Sequence, residues 1–445
     1  MTVTQFKLFV MMVLQLAIWG SWALQIYGYL GGIGFEPWQQ SVILNAFPVG
    51  AILAMFFSTQ FADRYFAAEK FLAFSHFIGG LAMLGLAFVP KYFGENAFLP
   101  FAILMYVHCI FYVPTFSITN SIAFAHLKDP KNEFGVVRMG GTVGWILVAW
   151  PFLLILVDWK NVPALAEVGF KEWIFKTLGT PLTGAAYIEG ASAIFIVAGL
   201  VSLVLAAYAL TLPHTPPRPG ETLAWVEAMK LLRIPFVLVL WIVTLIDSTV
   251  HQSFFAWTFG YLQHVGIASN WAQPIMSIGQ VAEILTMLIL GVVLKNFGYK
   301  ATMIVGVLGH VARFLVFAYF PEHPWLIIAV NILHGICYAF FFAAVYIFVE
   351  QVFPTDARSS AQGLFNLMIF GIGPLIAFFI CPYLGGVYST TSVVDGREVS
   401  AISDYRTLFL YPAGAAAVAV VLLALFFHPP KKLDETTEHV GEAAT

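Results

Sequence analysis

The stretch IMSIGQVAEIL (275–285) sets a carboxylate, Glu283, about halfway along an apolar run from Trp271 to Leu294. Gln280 precedes it by one helical turn and shares its helix face. An ionised carboxylate at the centre of a bilayer costs about 3 kcal/mol or more, so such a residue is a functional candidate by default. A carboxylate there can load a proton on one side of a membrane and release it on the other. A neutral amide both donates and accepts hydrogen bonds, which suits a polar uncharged solute. Three further pairs have helical spacing. Asp247 and His251 lie in IDSTVHQSFFAW (246–257) with Gln252 beside them, His334 lies four residues before Tyr338, and RMGGTVGW (138–145) carries Arg138 and Thr142. A carboxylate, two glutamines and aromatic side chains suggest a base-bearing or sugar-like ligand. An inorganic ion would need different chemistry.

Long apolar segments must position these residues. Of 445 residues, 60% are hydrophobic and 10% charged, against about 25% charged in soluble domains. Mean hydropathy is +0.85. At about 20 residues per span, the expected segments are 5–30, 41–62, 70–90, 97–124, 139–158, 187–212, 235–262, 272–294, 300–320, 324–350, 358–386 and 405–428. The expected fold is therefore an all-α membrane protein of twelve transmembrane helices. The connections on the side of the termini hold fourteen Lys and Arg and those opposite hold six, with Arg313 inside a span. This excess places both termini in the cytoplasm. The first apolar segment is too long for a signal sequence and is read as the first span.

The pattern is two-fold. A Pro-rich connector, LTLPHTPPRPGE, separates six spans from six, giving bundles at 1–212 and 235–430, a cytoplasmic linker at 213–234 and a tail at 431–445. FADRYFAAEK (61–70) and VLKNFGYK (293–300) are short charged turns at equivalent places in the two halves, as in a parallel repeat. This is the six-plus-six plan of the major facilitator superfamily, whose cytoplasmic motif the ADR…K turn loosely resembles.

Other function classes fit poorly. HExxH, GxSxG and GxxxxGK[ST] do not occur, which argues against an intramembrane enzyme or an ATP-driven pump. The net charge of −3 and the lack of basic clusters exclude a nucleic-acid partner. Cys109, Cys337 and Cys381 sit in apolar runs without CxxC spacing, so neither a metal nor a disulfide is expected, and no cofactor is implied. His108 and His310 read as lone histidines in neutral interhelical hydrogen bonds, and Arg313 as snorkelling or pairing within its own half. Asp63 and Arg64 read as a gating pair at a cytoplasmic helix end. Gln252 and Gln280 could also simply join helices.

The chain resembles the bacterial nucleoside:proton symporters of that superfamily. The resemblance rests on IWGSW (18–22), YVPT (112–115), TNSIAF (119–124), RMGGTVG (138–144), LTLPH (210–214), IMSIGQVAE (275–283) and SAQGLF (360–365), in that order along nearly the whole chain. It implies inward transport of nucleosides with protons across the inner membrane by a monomer, without nucleotide hydrolysis. It also implies that Arg138, Thr142, Gln252, Gln280 and Glu283 contact nucleoside. In span ten, Tyr338 supplies the expected aromatic, but Ala339 stands where an acid is expected and His334 where a tyrosine is. Phe255 replaces an asparagine that would face the ligand. Asp247 and His251 are additions, and either could replace the missing acid in proton coupling. A carrier for sugars or another polar metabolite, with or without protons, is the second reading.

Overall fold

The computed structural model describes residues 1–54, 66–217, 229–353, 358–394 and 397–429. Asp63 and Arg64 therefore lie outside the described residues. The ten helices that matter below are α1 Val3–Trp22, α2 Ala68–Leu86, α3 Phe98–Tyr112, α4 Pro130–Ala149, α5 Ala193–Ala209, α6 Pro235–His264, α7 Ile278–Tyr319, α8 Ile332–Cys337, α9 Gly373–Val387 and α10 Tyr405–Phe426. The chain is helical apart from its connections and one antiparallel hairpin, β1 Ser389–Val394 with β2 Arg397–Ile402. This hairpin occupies the 387–404 connection, where no strand is expected from the sequence.

Among the described residues nine helical runs are long and apolar enough to cross a membrane, ten if a bent pair counts as one. One of the nine, Ser269–Tyr319, has 51 residues. At 1.5 Å per residue it would be more than twice as long as a bilayer core is thick. It reverses instead at Gly298, whose φ of 73° is open to glycine but strained for other residues. The charged turn VLKNFGYK thus separates the two spans expected there. The expected second span continues into residues 55–65, which are outside the described set.

The same helix pairings recur along the chain. In the first half α1 packs on α4 and α5, while α2 packs on α3 and α5. In the second half α6 packs on α9 and α10, while α7 packs on α8 and α10. Glycine sets the closest approaches. A Cβ at Gly144 would meet the Val13 carbonyl oxygen at 2.0 Å, so α1 and α4 touch backbone to backbone. The small residues of RMGGTVG permit this, as close packing in a bilayer requires. In the second half, a Cβ at Gly335 would stand 2.2 Å from the Glu283 amide nitrogen.

Two helix starts are capped by side chains. Thr2 and Gln5 form a reciprocal capping box on α1, and the Asp404 side chain accepts from the Thr407 amide at 2.9 Å to cap α10. The connector after α5 is held by Glu69, whose two oxygens meet His214 Nδ1 at 2.8 Å and the Thr215 amide at 2.9 Å.

Candidate functional site

The two sets of helices face each other across α4 and α7, which are in contact. From α4 comes Arg138, whose Nη1 lies over Gly141 so closely that a Cβ there would be 2.6 Å away. From α7 comes Glu283, and from the following helix Tyr338, the first residue of a π-helical turn, Tyr338–Ala343. Arg138 and Glu283 thus sit on the two helices that meet at this interface, and Tyr338 sits on a turn packed against α7. Among the described residues, neither Arg138 nor Glu283 has a hydrogen bond or an ion pair with another side chain. Gln280, on the same face of α7, is buried with its Oε1 unpartnered. Thr142 and Gln252 are half-buried.

Aromatic rings line this region from both sides. Trp19 stacks on Phe47 at 4.6 Å and meets Trp145 edge-on at 5.3 Å. Trp145 in turn approaches Phe255 of α6 at 6.1 Å, and its indole Nε1 has no partner. Phe255 contacts His251 and His334, each at 5.2 Å. The result is a layer of flat rings beside an arginine, a carboxylate, an amide oxygen and an indole N–H that have no side-chain partner. Groups of these kinds can hold a planar, polar solute by stacking and hydrogen bonding together.

A second cluster lies inside the second set, on α6, α7 and α8. Arg313 is fully buried and donates from Nη1 to His334 Nδ1 at 3.0 Å and from Nη2 to His310 Nδ1 at 2.8 Å. Its guanidinium also lies 4.1 Å over the Phe254 ring. His310 Nε2 stands 3.6 Å from Asp247 Oδ1, and both residues are fully buried. His251 stacks on His334 at 4.7 Å.

The placement of the expected site residues thus divides. Arg138, Glu283 and Tyr338 lie on elements that meet at the α4–α7 contact. Asp247 turns instead into the Arg313 cluster, and His334, expected at the substrate, gives its Nδ1 to Arg313. The reading of His310 as a lone histidine is corrected, because Arg313 one turn away on α7 and Asp247 on α6 both engage it. Arg313 pairs within its own half and does not snorkel. His108 does join helices, through Nδ1 to the Gly79 carbonyl at 3.1 Å. Sequence reasoning finds neither the ring wall of Trp19, Phe47 and Trp145 nor a neutral cluster around His76. The tryptophans of IWGSW and RMGGTVGW are the available signal.

Comparison with known proteins identifies the family. The family model of nucleoside H+ symporters matches residues 1–166 and 160–432. YegT of Escherichia coli (strain K12) is 28% identical over 443 residues, covering 95% of this chain and 94% of that protein. The nucleoside permease NupG of the same organism is 25% identical over 451 residues, covering 96% of this chain and 97% of that one. The crystal structure of the nucleoside transporter NupG superposes with a TM-score of 0.76 at 20% identity, over 96% of this chain and 100% of that one. A D-xylose–proton symporter shares the fold at a TM-score of 0.67 and 13% identity, over 97% of this chain and 99% of that one. With a family match that spans both sets of helices, the chain belongs to the nucleoside H+ symporter family.

Proposed function

We propose that the chain carries nucleosides inward with protons by alternating access, with the interface between α4 and α7 as the substrate site. The observation that carries the proposal is that Arg138 and Glu283 lie on the two helices that meet between the sets, beside a run of aromatic rings that crosses from Trp145 to Phe255. Glu283 takes the proton and hydrogen-bonds the substrate. Gln280 and Gln252 bond the base or ribose, and Thr142 and Arg138 close the site from α4. The rings of Trp19, Trp145 and Phe255 supply the stacking surface. His334 borders the site through its ring while Arg313 holds its Nδ1. Moving one set of helices against the other would separate Arg138 from Glu283, so proton loading and exposure of the site are coupled.

The repeated helix pairings and the reversal at Gly298 support twelve spans in two six-helix halves, 1–212 and 235–430, joined by the linker at 213–234. The lysine and arginine bias supports both termini and the 431–445 tail lying in the cytoplasm, and the family resemblance supports an inner-membrane monomer. Asp63 and Arg64 would act as a gating pair on that side. In that orientation the halves meet at the outer end. Gln25 Nε2 donates to Gln273 Oε1 at 2.8 Å, Gln273 Nε2 to the Ser21 carbonyl at 3.1 Å, and Asn270 Nδ2 to the Leu178 carbonyl at 3.1 Å.

The test is uptake of labelled uridine and adenosine by cells expressing the protein, with and without a protonophore. Glu283→Gln should abolish uphill uptake. Uptake insensitive to the protonophore would refute proton coupling, and uptake of neither nucleoside would refute the substrate.

A further inference from the structure

We propose that Asp247 and His310 form a second proton-binding site, held by Arg313. The inference rests on the nucleoside–proton reading above and adds to it a second transported proton.

The argument begins with the hydrogens. A guanidinium has only donors, so the Nδ1 atoms of His310 and His334 must both accept from Arg313. The proton of neutral His310 is therefore on Nε2, which stands 3.6 Å from Asp247 Oδ1. The order is fixed: guanidinium to imidazole to carboxylate. Yet 3.6 Å is longer than a hydrogen bond. Asp247 Oδ1 and Oδ2, His310 Nε2 and, one turn along α6, His251 Nδ1 are all buried without a partner. Unpartnered buried polar atoms are costly and need a reason. With Arg313 Nε, which is likewise buried without a hydrogen-bond partner, five such atoms at one place form a site whose hydrogen bonds change with protonation.

The surroundings leave few other candidates. Asp247 faces His251 on its own helix, His310 and Arg313 on α7, and His334 and Cys337 on α8. From α9 and α10 the ionisable groups nearest α6 are Cys381, against Ser253, and Tyr405, against Tyr261. Both are well along the helix from Asp247. Asp247 is thus the one carboxylate beside Arg313 among the described residues. When a proton binds Asp247, Arg313 loses its counter-charge, and when the proton leaves, the pair is neutral again. The link to the substrate is short. His334 packs on Gly279, where a Cβ would meet its own Cβ at 2.9 Å, one residue before Gln280. A change in the hold of Arg313 on His334 therefore bears on the helix segment that carries Gln280 and Glu283.

The experiment is nucleoside accumulation by the full-length protein in proteoliposomes, with the membrane potential clamped to zero and one pH unit imposed. Each coupled proton allows about a tenfold gradient per pH unit, since one unit is worth about 1.4 kcal/mol. Wild type should approach about 100-fold accumulation, and Asp247→Asn about 10-fold, while nucleoside counterflow without a pH gradient stays near the wild-type rate. His310→Gln keeps a donor and an acceptor in place of the ring but cannot relay a proton, so it should show the same drop. A double variant, Asp247→Asn with Arg313→Gln, removes both charges and covers the case in which the single change does not fold. It too should stop near 10-fold. A wild-type limit of about 10-fold, or variants that accumulate as wild type does, would overturn the proposal. Failure of wild-type counterflow with any nucleoside would instead refute the substrate reading on which it rests.

Discussion

Each set of helices buries a histidine cluster where its helices cross, and the two clusters are built differently. In the first half, His76 on α2 meets Gln15 Oε1 at 2.9 Å and Ser202 Oγ at 3.0 Å. Gln15 Nε2 in turn donates to Thr115 Oγ1 at 2.8 Å, and the Tyr112 hydroxyl donates to the Gln15 carbonyl at 2.6 Å. Both ring nitrogens and both amide atoms have partners, and no charge is present. In the second half a guanidinium and a carboxylate are buried with an imidazole between them, and five of the polar atoms have no partner. A closed neutral network ties α1, α2 and α5 rigidly, at little electrostatic cost. An open charged one can change its bonding when a proton arrives. The difference suggests a division of labour, in which the first half is scaffold and the second half titrates.

That comparison can be broken in three places. The largest effect is expected for Arg313→Leu, which leaves Asp247 buried without a counter-charge. Loss of one partner of a buried pair costs about 3–5 kcal/mol, so thermal unfolding in detergent should show the greatest loss of stability of the three. A variant as stable as wild type would mean that the charges are not paired. His76→Leu is next, since it strands Gln15 Oε1, while Ser202 Oγ keeps its bond to the residue-76 backbone carbonyl. At about 1–3 kcal/mol for stranded buried groups, it should lower stability while leaving the limiting nucleoside accumulation unchanged. If accumulation falls as it does for Asp247→Asn, the first half is not a passive scaffold. The smallest effect is expected for Gln273→Leu, which cuts the bonds of Gln273 to Gln25 and to the Ser21 carbonyl and leaves those of Asn270. A loss of about 1 kcal/mol from that contact should raise labelling of a cysteine placed at Gln25 by a membrane-impermeant reagent. Unchanged labelling would show that the contact does not hold the outer end closed.

Much of this was legible in residue order. Twenty-residue apolar runs and charged turns located the helices, because backbone groups in lipid must bond internally and only helices of that length satisfy the requirement. The glycines of RMGGTVG announced a close crossing, and α4 lies against α1 there. Glu283 was visible as a carboxylate in an apolar run, and Arg138 as a charge at the start of another. The hairpin at 389–402 was less legible. Its strand STTSVV is a short polar and β-branched stretch, and such a stretch reads as a loop until its partner is known. Nor could spacing along one helix predict the wall of Trp19, Trp145 and Phe255, which is assembled from three helices.

Composition and periodicity by themselves determined that this chain is helical, that it lives in a membrane and that an acid at depth needs a function. Those properties are local, set by the transfer cost of each side chain and by the pitch of one helix. Only the tertiary structure decided which acid does what. Asp247 and Glu283 look alike in sequence, yet one turns inward to His310 and Arg313 and the other sits on α7, which meets α4, the helix of Arg138. That choice depends on which faces of α6, α7 and α8 meet, and on a contact at Gly335 close enough to bring the two sites back to back.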